Sequence, residues 1–243
     1  MIRAVTVDWW NTLAAPPEDW EPFSKRTRIE GIREVLRAHG IACTLARLDI
    51  AYDLWTEHLA RRWRQNTDLP GEEQIADLLA SAGYDRVVDS DAVGEIAEII
   101  GRPLVDRPPT IHEGAIDTLR SLKARGIGLA IISNTGRTLG RFLRQVQEKV
   151  GMDGLFDHRA FSDEVRVRKP APAIFDQTLA ALEVAPDEAV HVGDDVDADV
   201  AGAKEFGMRA VWYDSATSPA ADGSRADAVI HAWRELPEVL AKW

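Results

Sequence analysis

Short apolar runs punctuate the chain, and most of them end on a polar residue. Ala4-Val5-Thr6-Val7 leads into Asp8, and Gly128-Leu129-Ala130-Ile131-Ile132 into Ser133-Asn134. Glu188-Ala189-Val190-His191-Val192 leads into Gly193-Asp194-Asp195, and Arg209-Ala210-Val211-Trp212-Tyr213 into Asp214. Ala228-Val229-Ile230 is a shorter, last run. Runs this short, largely apolar and separated by helical patterns, predict a parallel sheet buried on both faces. The spacing of apolar residues predicts helices over 113–125 (Ile116, Leu119 and Leu122 on one stripe, Gly126 as the stop), 172–182, 198–206 and 235–242.

Between Leu13 and about Pro108 the texture changes. No strand-like run occurs there, and amphipathic helices are predicted over 24–39, 44–65, 72–82 and 91–100. Gly40, Pro70-Gly71, Gly83 and Gly101 punctuate them. Pro16-Pro17 opens the region, and Pro103 with Pro108-Pro109 closes it, as hinge-like linkers do. The expected fold is α/β: a doubly wound parallel sheet formed by 1–14 and 109–243, interrupted by an all-helical insert over 15–108. Ser215 to Gly223 reads as a surface loop of small residues.

Composition narrows the partners. The chain has 243 residues, 45% hydrophobic and 28% charged, which is ordinary for a globular protein. A net charge of -11 argues against non-specific binding to nucleic acid or an anionic membrane, but allows a local site for a small anion. A single cysteine, Cys43, excludes an intramolecular disulfide and fits a reducing compartment. No run approaches the roughly 18 apolar residues of a membrane span. The N-terminus enters strand-forming sequence directly. A cytoplasmic monomer or homodimer is expected.

Parallel strands align their carboxyl ends on one rim, so Asp8, Ser133, Asp194 and Asp195 converge there. Lys169-Pro170 opens a helix between the last two strand ends. Carboxylate, hydroxyl, lysine and an acidic pair together suit phosphoryl transfer. The carboxylate attacks phosphorus, hydroxyl and lysine hold non-bridging oxygens, and magnesium bound by carboxylates neutralises charge.

In detail, Asp8-x-x-x-Thr12-Leu13, then Ser133-Asn134, then Ser162-x-Glu164-Val165-x-Val167-x-Lys169-Pro170, then His191-Val192-Gly193-Asp194 with Asp199 and Gly202-Ala203 resemble the four motifs of the haloacid dehalogenase-like (HAD) superfamily. The resemblance covers residues 4–13 and 127–213; a helical insert at this point resembles the family's helical cap. It implies a Rossmann-like hydrolase core, Mg2+ as cofactor, and a small phosphorylated molecule as substrate. Asp8 would be the nucleophile and form an aspartyl-phosphate. Thr12, Ser133 and Lys169 would bind phosphate or orient that nucleophile. Asp8, the Trp10 carbonyl and Asp194 would ligate the metal, with Asp195 or Asp199 as a further ligand or as support behind it. Asn134 would aim its amide at the substrate rim, and Trp10 would stand beside the substrate.

Three residues depart from the family pattern: Trp10 in place of the usual Asp, Asn11 in place of Gly, and Arg166 where the third motif often has Gly. Family phosphatases use the missing Asp as general acid and base, so Trp10 implies an activated leaving group or a slow reaction. Carbon–halogen hydrolases of the family carry an aromatic residue there, but lack the metal-binding Asp that Asp194 supplies. A phosphonate hydrolase would need a cap lysine, and Lys25 is the only one in the insert. A non-catalytic protein keeping the phosphate pocket is the remaining alternative. Other conspicuous residues read as structural: His58, His112 and His191 as packed or surface histidines, Trp20, Trp55 and Trp63 as core, and Arg26, Arg28 and Arg61-Arg62-x-Arg64 as a solvated face.

Overall fold

In the computed structural model the apolar runs do become strands, in a sheet with helices on both faces. Residues 1–214 and 225–243 are described, and the loop expected over 215–223 lies outside them. In chain order, β1 (Ala4–Val7) is followed by β2 (Ala14–Ala15), α1 (Trp20–Ala38), α2 (Leu45–Trp63), α3 (Gly71–Ser81), α4 (Ser90–Asp106) and β3 (Thr110–Ile111). Then come α5 (Ala115–Ala124), β4 (Gly128–Ser133), α6 (Gly140–Lys149), β5 (His158–Phe161), the single turn α7 (Ser162–Val165) and α8 (Pro172–Leu182). Next are β6 (Ala189–Gly193), α9 (Gly202–Phe206), β7 (Arg209–Tyr213), β8 (Ala228–Ile230) and α10 (Leu236–Leu240).

Six strands pair in parallel in the order β5-β4-β1-β6-β7-β8. The chain leaves β1 toward β4 and later returns to its other side with β6. That reversal opens a crevice at the carboxyl end of β1, where Asp8 stands. Alternation along β1 sends Val5, Val7 and Trp9 into one hydrophobic cluster with Leu119, Leu129 and Val190. Thr6 and Asp8 share the opposite face, on which Ala4 packs with Ile174, Phe175 and Leu179 of α8. Side-chain parity thus aims the carboxylate toward the α8 side of the sheet.

β5 and α6 are not announced by the apolar runs. In β5, His158 and Arg159 are half-buried and only Ala160 and Phe161 are fully covered, as suits an edge strand paired to β4 alone. Gly101 and Pro103 do not end the fourth insert helix, contrary to the local stop signals: α4 continues through both to Asp106. Gly101 serves packing instead, since a Cβ there would lie 2.0 Å from the Phe142 ring of α6. The linkers differ as well. Ala14 and Ala15 pair antiparallel with Ile111 and Thr110, so the two crossings between insert and sheet form a short ribbon.

The four insert helices bury a cluster of their own, including Ile32, Leu36, Trp55, Leu59, Leu78 and Ile96. Among the described residues no helix is long and apolar enough to cross a membrane.

Candidate active site

Asp8 is 7% exposed and lines a cavity of ≈ 170 Å³ together with Trp10, Asn11, Asn134, Lys169, Asp194, Asp195 and Asp199. Lys169 Nζ lies 2.5 Å from Asp8 Oδ1 and 2.6 Å from Asp199 Oδ1. One carboxylate oxygen from each of Asp8, Asp194 and Asp199 lies within 4.8 Å of the others. Three carboxylates and one lysine leave this pocket short of positive charge.

The titrations follow from that imbalance. Burial pushes the Asp8 carboxyl up to about 8; Lys169 opposes the rise, and Asp199 and Asp194 add to it. Asp194 is pushed up to about 6, by burial first and by Asp199 next. Burial also opposes the charge on Asp199, but Lys169 and His191 outweigh it and hold that carboxyl well below the usual range. Burial likewise works against the Lys169 ammonium, and Asp199 with Asp8 holds it above its ordinary value.

The supporting bonds assign different tasks to the residues expected from sequence. Ser133 Oγ is buried and has no hydrogen-bond partner among the described residues, and Ser133 lines neither this cavity nor its neighbour. Thr12 instead donates to Asp194 Oδ1 at 3.3 Å, steadying that carboxylate. Asn134 lines this cavity, and its amide is engaged by the Lys169 loop. Its Nδ2 donates to the Lys169 carbonyl (3.0 Å) and its Oδ1 accepts from the Lys169 amide (2.8 Å), clasping the loop that carries the lysine. The Lys169-Pro170 peptide is cis.

Asp195 and Asp199 separate clearly. Asp195 is exposed, lies outside the three-carboxylate cluster, and accepts from the Asp197 and Ala198 amides as the cap of a π-turn over Val196–Ala201. Asp199 spends one oxygen on Lys169 and His191 and the other on the Asp195 amide. Gly193 permits this, since a Cβ on it would meet the Asp199 carboxyl carbon at 2.2 Å. Asp195→Ala is accordingly expected to cost about 1 kcal/mol of stability through the lost cap while leaving affinity for the Mg2+ that the family resemblance implies nearly unchanged. Denaturant unfolding and a metal titration check both halves, and a large loss of affinity would restore Asp195 as a ligand.

Two departures from the family pattern have a backbone explanation. Asn11 and Arg166 have φ of 55° and 62°, the left-handed region that favours glycine. Asn tolerates it, and Arg166 is drawn into an ion pair with Glu73 of α3 at 3.0 Å. Trp10 is half-buried and lines both the carboxylate cavity and a neighbouring one, whereas Trp9 is completely buried. No donor reaches the Trp10 carbonyl among the described hydrogen bonds.

Sequence reading missed several partners because their signals are single residues scattered along the chain. His191 Nε2 sits 3.0 Å from Asp199 and its Nδ1 2.8 Å from Thr6 Oγ1, its partner in strand register. It is therefore structural, as expected, but it holds a site residue. Asp68, between α2 and α3, accepts from Ser162 Oγ and Arg168 Nη1, both at 2.6 Å, and so ties the insert to the Lys169 loop. The neighbouring cavity, ≈ 320 Å³, lies between insert and sheet and is lined by Trp20, Trp63, Arg28 and Arg137. Of the three insert tryptophans, Trp55 is core, as expected, while Trp20 and Trp63 face this cavity. Arg28 is not on a solvated face but is 1% exposed. Lys25 pairs with Asp49 and Asp53 and lines neither cavity.

Comparison with known proteins follows the same lines. A glyceraldehyde 3-phosphate phosphatase of Pyrococcus furiosus is 34% identical over 129 residues, 52% of each chain. A phosphoserine phosphatase of Thermus thermophilus is 36% identical over 121 residues, 49% of this chain and 46% of that one. The matches thus span about half the length of these curated relatives. The crystal structure of a 2-haloacid dehalogenase from Pseudomonas syringae pv. Tomato superposes over 100% of both chains with a TM-score of 0.71 and 26% identity. The family model described as haloacid dehalogenase-like hydrolase matches residues 2–207. The chain belongs to the haloacid dehalogenase-like hydrolase family.

Proposed function

We propose that the protein is a Mg2+-dependent phosphatase that acts on a small phosphorylated metabolite through an aspartyl-phosphate on Asp8. The observation that carries this reading is the Asp8 carboxylate held 2.5 Å from Lys169 inside a three-carboxylate pocket. Relatives named as phosphatases support it.

The donor set fits a hard divalent cation, because clustered carboxylates with raised pKa values need a positive charge that Lys169 alone does not supply. Asp8, Asp194 and the Trp10 carbonyl would hold Mg2+, which when bound offsets the charge between nucleophile and anionic substrate. Asp199, committed to Lys169 and His191, acts behind them by fixing the lysine. An Asp8 oxygen attacks phosphorus, the ester oxygen departs, and water later cleaves the acyl phosphate to free Asp8 and release phosphate. Lys169 Nζ and Ser133 Oγ bind non-bridging phosphoryl oxygens during both displacements. With Trp10 where the family's acid stands, no side chain at that position protonates the departing oxygen.

Chelation is expected to abolish turnover and Mg2+ to restore it, with Ca2+ a poor substitute because it favours more ligands and looser geometry. Mg2+ affinity should rise with pH up to about 8 and level off above. The Asp8 proton is retained below that value and must leave before the carboxylate can ligate. Calorimetric titration across that range measures this, and a pH-independent affinity would remove Asp8 from the metal site.

Trp10 and the haloacid dehalogenase likeness favour one second reading, a carbon–halogen hydrolase. A substrate screen separates the two: chelator-insensitive turnover of haloacids alone would replace the phosphatase. Phosphate binding without turnover of either class would favour a binding protein.

A further inference from the structure

Among the described residues, one cation that lines the cavity between insert and sheet pairs with no carboxylate. Arg28 is 1% exposed, and its guanidinium donates to the Ile100 carbonyl (2.8 Å), the Tyr52 hydroxyl (2.9 Å) and the Thr138 hydroxyl (2.8 Å). All three acceptors are neutral, and among the described residues Arg28 takes part in no ion pair. A buried charge left in this state is costly unless a counter-charge arrives. Arg137 lines the same cavity; it pairs with Glu21, but its Nε is buried without a partner. Glu21 offsets one of the two guanidinium charges, so the cavity keeps a net positive charge. The remaining walls include the half-buried side chains of Trp10, Trp20 and Trp63.

The cavity shares Trp10, Asn11 and Asn134 with the carboxylate pocket, so one ligand can occupy both. Its ≈ 320 Å³ is at the small end for a ligand site. Guanidinium groups match carboxylate and phosphate through parallel N–H donors, and indoles favour a compact apolar or planar body between them. We propose that this cavity is an anion subsite and that the substrate carries a second anionic group, a carboxylate or another phosphate, at the end remote from the phosphoryl group lost. This specificity rests on the phosphatase reading; the subsite itself does not.

The test compares three aryl phosphates of similar size: 4-carboxyphenyl phosphate, its neutral isostere 4-carbamoylphenyl phosphate, and 1,4-phenylene bisphosphate. With Mg2+ present, kcat/KM for at least one of the two anionic compounds should exceed that for the amide about tenfold or more, chiefly through KM. Whichever is preferred identifies the second anion as carboxylate or phosphate. Arg137→Gln should bring the ratio toward one, and Arg137→Lys should keep part of it. Because each ratio is taken within one protein, a variant that is merely damaged loses rate on all three compounds and leaves the ratio intact. A wild-type ratio near one, or a ratio that persists in Arg137→Gln, overturns the subsite. If none of the three is hydrolysed, the phosphatase reading fails separately. Calorimetric binding of the same compounds to the Asp8→Asn protein then decides: tighter binding of an anionic compound than of the amide supports the subsite, and equal binding overturns it.

Discussion

Asp8→Asn should lower turnover by about four to six orders of magnitude while the protein remains folded. The substitution keeps the side chain's size and removes the anion proposed to attack phosphorus, so on that mechanism no covalent intermediate forms. Its effect on stability runs the other way. The Asp8 carboxyl holds its proton up to about 8 in the folded protein, against an ordinary value of 3.8. The unfolded chain ionises freely above that ordinary value, so Asp8 destabilises the fold progressively as pH rises from there toward 8. A neutral Asn removes this penalty, and Lys169 still keeps Asp199 as its partner. The expected result at neutral pH is a melting temperature equal to or above that of the native protein, with single-turnover assays showing no acyl phosphate. Near-native turnover would place the nucleophile elsewhere. Lost turnover with a collapsed melting curve would leave Asp8 a structural residue.

The second large effect concerns the leaving group. A general acid contributes roughly a hundred- to ten-thousand-fold, and Trp10 supplies none. Aryl and acyl phosphates should therefore be hydrolysed faster than alkyl esters by a gap of about that size. Trp10→Asp should narrow the gap by raising alkyl-ester turnover. The half-burial of Trp10 makes this variant practicable, because its neighbour Trp9 is the indole that the core depends on. Truncating a fully buried Trp costs about 3–5 kcal/mol, and Trp10 should cost less. A leaving-group series on both proteins, with melting curves alongside, makes the comparison. A native rate independent of leaving-group pKa would point to a later step and remove this role for Trp10.

Much of the fold follows from local pattern. β1, β4, β6 and β7 are short apolar runs because both faces of a parallel sheet are covered, and α1 to α3 carry their apolar stripe at helical spacing. Asp8, Ser133, Lys169 and Asp194 were legible as candidates because each stands at a strand end or helix start. Edge strand β5 was not legible, since half of it faces solvent and its apolar content is low. Nor was the reach of α4, because Gly101 and Pro103 are stop signals locally and packing residues in context.

The division within the candidate site has the same physical origin. Sequence by itself determined the order of the chemical groups and, through strand parity, the face that Asp8 shares with Thr6. Only tertiary structure decided how those groups pair. Asp195 and Asp199 are both acidic residues of one short segment, yet the π-turn and the absent side chain of Gly193 send one to cap the backbone and the other to Lys169. Asn134, on the cavity wall, is tied to the backbone of Lys169, 35 residues away. Arg28 reads as an ordinary helical arginine until Thr138, 110 residues later, closes over it. Hydrogen bonds and burial between distant segments carry no local periodicity, and that is why a helical pattern alone did not distinguish a solvated charge from a buried one.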